Sequence, residues 1–145
     1  MTFMRKIHSG FTLIELIAVI VILGIMSVAL LTRLSSVSNA NLHTGRDDLI
    51  AALFFAQQSA MARSNIRVTI TESSISVTEN GIPLATYKGY PLNLPSGIKV
   101  SSPTTPIPVT LIYNKLGRTA ATTINLTGSG GVSATVKLEA SGYAH

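Results

Sequence analysis

The stretch Gly10-Phe11-Thr12-Leu13-Ile14-Glu15 decides how the rest of the 145-residue chain is read. It places one carboxylate at the start of an otherwise uncharged apolar run. From Phe11 to Leu31 no other residue is charged, and Ile17, Val19, Ile20, Val21, Ile22, Leu23 and Ile25 lie within it. As an α-helix, a run of this length crosses a hydrocarbon core of about 30 Å. A carboxylate inside such a helix costs on the order of a few kcal/mol, so it calls for a partner and a purpose. Arg5, Lys6 and the small residue Gly10 stand ahead of the run. The whole segment reads as an export signal combined with a membrane anchor.

An ordinary signal peptide or a plain single-span anchor also accounts for the hydrophobicity. An ordinary signal, however, places small residues and its cleavage site after the apolar run. It leaves Glu15 unexplained. Arg5 and Lys6 precede the run and only Arg33 closely follows it. That weak bias favours a cytoplasmic N-terminus, with the remaining chain on the far side of the membrane.

Lys6, Gly10, Phe11, Thr12, Leu13, Glu15 and Leu16 together resemble the class III signal of type IV pilins and type II secretion pseudopilins. The resemblance implies that a prepilin peptidase in the bacterial inner membrane cuts between Gly10 and Phe11. It also implies that the new N-terminus at Phe11 is methylated. Glu15 becomes the fifth residue of the mature chain and its assembly residue, pairing with the α-amine of a neighbouring subunit. In hydrocarbon an unpaired carboxylate and an unpaired ammonium are both costly, and each removes the other's penalty. A pair within one subunit, or a neutral Glu15, is the alternative.

Composition limits the part of the chain beyond the anchor. The formal net charge is +5, falling to +3 once Arg5 and Lys6 leave with the leader. That mild basicity does not by itself imply a nucleic-acid partner. The chain has no cysteine, so an exported domain must hold without disulfides, and thiol chemistry and the usual zinc clusters are excluded. About a hundred residues remain beyond the span, enough for one small core.

The pattern along those residues is helix first, then strands. No proline precedes Pro83. A soft helical juncture is expected over Ser35–Asn41, where helix propensity is poor, with a break near Gly45 as the alternative. From Asp47 to Arg63, Leu49, Leu53, Ala56 and Ala60 share a helix face, widened by Ile50, Phe54 and Met61. Asp47 and Asp48 at the start and Arg63 at the end suit the helix dipole. Phe55 falls off that face, as a subunit contact or a partly exposed aromatic.

After Asn65 the period changes to two. Strands are expected over Arg67–Thr71 and Ser74–Thr78, with Asn80-Gly81 turning the chain towards Ile82, Leu84 and Thr86. All six prolines lie between Pro83 and Pro108. Tyr90 to Pro106 is therefore expected to be mostly loop, with at most a short strand around Ile98 and Val100. Val109–Tyr113 returns to strand, a turn comes next at Leu116-Gly117-Arg118, and 123–126 with 132–138 form a last hairpin.

This second half resembles the GspH/FimT group of minor pilins and pseudopilins. The match runs through Leu49, Leu53, Ala56, Gln57, Ala60, Arg63-Ser64-Asn65 and Val68-Thr69-Ile70. It continues at Leu111, Tyr113, Gly117-Arg118, Ile124, Leu126, Val136, Leu138 and Gly142. The expected fold is α+β, a long N-terminal transmembrane helix packed on a C-terminal antiparallel β-sheet domain. The expected divisions are a leader over 1–10, a membrane and filament-core helix over 11–32, its soluble continuation over 33–64, and a β-rich periplasmic or extracellular domain over 65–145.

A catalytic constellation is missing. His8, His43 and His145 are dispersed, with no serine–carboxylate partner on a shared face. Asp47 and Asp48 point apart on a helix, and Gly128-Ser129-Gly130-Gly131 lacks the lysine of a phosphate loop. No cofactor or metal is expected, and no enzyme activity. The leading expectation is a structural subunit, a minor pilin or pseudopilin that partners other pilins through its N-terminal helix. The competing one is a DNA-binding minor pilin of a transformation pilus, with Lys115, Arg118 and Lys137 as candidate phosphate contacts. A membrane-anchored adhesin, resting on the loop from Pro103 to Pro108, is the third.

Overall fold

A computed structural model of the chain describes residues 12–84 and 89–145, apart from the side chains of 29–36. The expected leader, Phe11 and Thr86 lie outside the described residues. The chain divides into two compact units, Met1–Leu34 and Ser35–His145.

A single helix, α1 (Leu13–Ala62), contributes to both units. It begins at Thr12, whose side-chain oxygen accepts the backbone N–H of Glu15 at 3.3 Å. The Thr12 carbonyl accepts the N–H groups of Glu15 and Leu16 at 3.1 and 3.2 Å. Thr12 and Glu15 thus occupy the first and last positions of a T-x-x-E capping sequence, which satisfies donors a helix start otherwise leaves open. At the other end the N–H of Arg63 reaches the carbonyl of Ser59 at 2.7 Å. Asn65 then adopts φ +56°, a left-handed turn that asparagine tolerates better than most residues.

Within the second unit, α1 buries Leu42, Leu49, Ala52, Leu53, Ala56 and Ala60 in one core with the strands. Gly45 stays inside the helix instead of breaking it. A Cβ built there would lie 3.4 to 3.5 Å from Ile98, Leu126 and Pro95, so glycine sets a close approach of helix to loop and strand. The expected face is narrower than its sequence pattern. Leu49, Leu53, Ala56 and Ala60 are buried, but Phe54 and Met61 are exposed. Phe55 is half-buried and stacks on Tyr90, with ring centroids 6.0 Å apart and planes 27° from parallel.

The strands form two antiparallel sheets. The first takes β1 (Ile66–Ile70), β2 (Ser74–Glu79), β3 (Ile82–Pro83), β4 (Leu92–Asn93) and β6 (Val109–Tyr113), in the order β3-β2-β1-β6 with β4 also on β2. The second orders β5 (Lys99–Ser101), β7 (Thr122–Thr127) and β8 (Ser133–Leu138) as β5-β7-β8. Alternation fixes the register. Ile66, Val68 and Ile70 on β1 are buried opposite Tyr113, Leu111 and Val109 on β6, with Arg67 exposed between them.

Asn80 and Gly81 both have positive φ, +52° and +85°, the geometry of a two-residue hairpin turn. The short strand β4 lies in the proline-rich stretch expected to be loop. Its two residues pair with Ser74 and Ile75 and carry no period-two pattern of their own. The N–H of Val100 donates to the Glu72 carbonyl at 2.9 Å, linking β5 to the β1–β2 turn. After β8 the chain doubles back so that His145 and Lys137 exchange backbone hydrogen bonds at 2.8 and 3.0 Å.

Candidate functional site

The first candidate is the start of α1. Every described side chain from Thr12 to Val28 is exposed, including Leu13 at 77% and Ile14 at 73%. In water an apolar surface reaching all round a helix is unfavourable, so it marks contact with lipid or with other proteins. Two polar groups inside this stretch are dealt with locally. Ser27 donates its hydroxyl to the Leu23 carbonyl at 2.7 Å, one turn back along the helix. The Glu15 backbone is satisfied by Thr12, but its carboxylate is exposed and carries no ion pair among the described residues. The arrangement is an apolar sleeve with one acidic side chain near its end. Gly10 and Phe11, the expected cleavage pair and methylation site, lie outside the described residues.

The expected span over 11–32 runs past the described side chains at both ends. Among the described residues, no helix is long and apolar enough to cross a membrane.

The second candidate is basic. Lys115 and Arg118 share a turn organised by Asn114, whose side-chain oxygen accepts the N–H groups of Leu116 and Arg118, each at 2.9 Å. The backbone closes the same turn, with Asn114 donating to the Arg118 carbonyl and Gly117 donating to the Asn114 carbonyl. Both cations are exposed. Lys137, the third expected contact, is exposed on β8 of the other sheet. Arg67, absent from the expected contacts, is exposed on β1 between two buried neighbours and has no ion pair among the described residues. Its period-two position was legible in the sequence, but its neighbours across the sheet were not.

Among the described residues no catalytic arrangement emerges. His43 is exposed on α1, and His145 stacks on Tyr143 with centroids 5.5 Å apart. Among the described residues no three His, Cys, Asp or Glu side chains come together as metal ligands. Burial pushes the Tyr113 hydroxyl far above the usual tyrosine range, so it remains protonated. Burial, with a smaller contribution from Asp48, also raises Tyr90. Both rings belong to the packing of the domain.

Comparison with known proteins agrees with this geometry. Residues 5–31 match the family described as the prokaryotic N-terminal methylation motif. The type IV minor pilin FimU of Pseudomonas aeruginosa superimposes with a TM-score of 0.55, over 72% of this chain and 90% of that one. The chain thus carries an N-terminal methylation motif and shares its fold with a minor pilin. The leader match covers Glu15, and the FimU match, at 14% identity, concerns the fold. No curated protein sequence matches the chain. The expected α+β architecture, a long N-terminal helix with an antiparallel β domain, is the one observed, with two sheets dividing the strands.

Proposed function

We propose that the chain is a non-enzymatic structural subunit, a minor pilin or minor pseudopilin acting in filament assembly or at a filament tip. The observation that carries this reading is the apolar sleeve around the start of α1 with Glu15 as its single charge. A solvent-facing role for such a surface is physically untenable, whereas lipid first and identical or related helices later both cover it.

In this reading the inner membrane holds the helix, with the N-terminus cytoplasmic and the β domain periplasmic. A prepilin peptidase cuts after Gly10 and methylates Phe11. Other pilins or pseudopilins then receive the helix, in a type IV pilus or a type II secretion pseudopilus. Glu15 pairs with the amine of a neighbouring Phe11, and that pair sets the axial stagger. The shared fold with the minor pilin FimU supports the same reading.

The test is Glu15→Ala. The variant is expected to be processed normally yet to enter filaments poorly. Filament incorporation at the wild-type level would contradict the assembly role.

A second reading, contact with DNA, draws on Lys115 and Arg118 sharing one exposed turn. It predicts gel shifts that weaken steeply with salt, Arg118→Ala lowering affinity similarly for unrelated sequences. Retention unaffected by salt or by that substitution would dismiss it.

A further inference from the structure

We propose that the free edge of β6 is a docking site for an extended acidic segment of a partner protein, added as a further strand to the first sheet. The proposal concerns the β domain alone and holds whether or not the chain enters a filament.

The direction of the backbone groups comes from the register. Thr71 donates to the Ser74 carbonyl and Asn80 donates to the Asn65 carbonyl, so the odd-numbered residues of β1 are those hydrogen-bonded to β2. Ile66, Val68 and Ile70 must then be bonded to Tyr113, Leu111 and Val109 on β6. Thr110 and Ile112 are left with their N–H and C=O groups pointing away from β1. In the first sheet β6 is the terminal strand on that side, and among the described residues nothing pairs with those groups.

Proteins normally blunt such an edge with lysine, proline, a bulge or a cover. Val109-Thr110-Leu111-Ile112-Tyr113 has no charge, no proline and no bulge, and the Ile112 side chain is 60% exposed. An uncharged, β-branched open edge is a template for strand addition, with main-chain bonds giving affinity and side-chain pockets giving selectivity.

A pocket of about 380 Å³ lies on the β1 side of this strand, lined by Asn65, Ile66, Arg67, Asn80, Gly81 and Ile112. Arg67, directly across from Ile112, is its only cationic side chain. The nearby Glu79 is engaged by Arg63 at 3.0 Å, which leaves Arg67 without an ion pair among the described residues. Lys115 and Arg118 come just after the strand, and from Asn80 to Leu138 the sequence contains no Asp or Glu. Charge therefore selects the occupant. A second copy would bring the same basic surroundings, whereas an acidic strand puts its carboxylates on the sheet face shared by Ile112 and Arg67, where the long Arg67 side chain can extend to them across Ile112, and its aliphatic side chains on the opposite face beside Leu111.

The test uses the full chain in detergent and two labelled seven-residue probes, one alternating valine with glutamate and one alternating valine with lysine. Fluorescence anisotropy is expected to show the glutamate probe binding and the lysine probe not binding. Arg67→Glu and Ile112→Pro should each weaken that binding by at least about tenfold. Proline at 112 removes an outward N–H only, so the β1–β6 ladder survives. In hydrogen exchange the probe should protect the Thr110 and Ile112 amides, while those of Val109, Leu111 and Tyr113 are slow already. Equal binding of the two probes, no binding of either, or insensitivity to Arg67→Glu would overturn the proposal. So would a β6-dependent dimer in sedimentation, which would make a second copy the occupant.

Discussion

The side-chain amide of Gln57 donates to the backbone carbonyl of Ser141 at 2.9 Å, tying α1 to the segment after β8. Around this bond the Asn114–Arg118 turn closes in as well. A Cβ at Gly117 would stand 2.9 Å from the Gln57 side chain, and one at Gly142 would stand 2.7 Å from it. Helix, turn and tail meet at one glutamine.

Gln57→Ala removes the donor and leaves the Ser141 carbonyl to water. The expected loss is about 1 kcal/mol. Thermal melting of the full chain in detergent reads it as a decrease of several degrees. An unchanged midpoint would mean that the tail is held by other contacts.

The two glycines separate under the same measurement. Gly142 has φ +87°, and a Cβ there would run into the Gly117 backbone carbonyl, which cannot swing aside. Gly117 has φ +70°, but its nearest obstruction is the flexible end of Met61. A left-handed non-glycine residue alone costs about 1–2 kcal/mol. Gly142→Ala is therefore expected to destabilise clearly more than Gly117→Ala. The reverse order would contradict the packing described around Gln57.

Adjacent residues on α1 provide a sharper contrast. Leu53 is 0% exposed and Phe54 is 56% exposed. Leu53→Ala should cost about 2–5 kcal/mol, because it leaves a cavity between helix and sheet. Phe54→Ala should change stability by no more than about 0.5 kcal/mol. Denaturant midpoints of the two variants decide whether the buried face is the one assigned.

Tyr113 carries a buried hydroxyl with no hydrogen-bond partner among the described residues. Removing an unsatisfied polar atom while keeping the ring is neutral or favourable. Tyr113→Phe should melt at or slightly above the wild-type temperature. A drop of several degrees would show that the hydroxyl has a partner in solution.

Much of this architecture was legible in local sequence. Asn80-Gly81 specified its hairpin, and alternation located β1, β2, β6, β7 and β8 to within a residue or two. Phe54 and Met61 were misplaced because helical periodicity marks a direction, and a helix face has no sequence-visible edge. Only the width of the sheets beneath α1 decides which flanking side chains remain in solvent. The strand β4 was invisible because two residues held by partners on β2 need no pattern of their own. Gly45 reads as a breaker in isolation, yet it is the point of close approach to Ile98 and Leu126. At the candidate site Glu15 was conspicuous by charge, whereas Arg67 gained meaning only when β6 was seen to end the sheet.

The central claim is a pilin pathway, and the N-terminal mass of the chain tests it most directly. Expressed with an active prepilin peptidase, the chain should lose residues 1–10 and gain one methyl group on Phe11. Without the peptidase it should keep its full N-terminus. An intact Met1 in the presence of active peptidase would make the segment a plain anchor, and the assembly role of Glu15 would be lost with it.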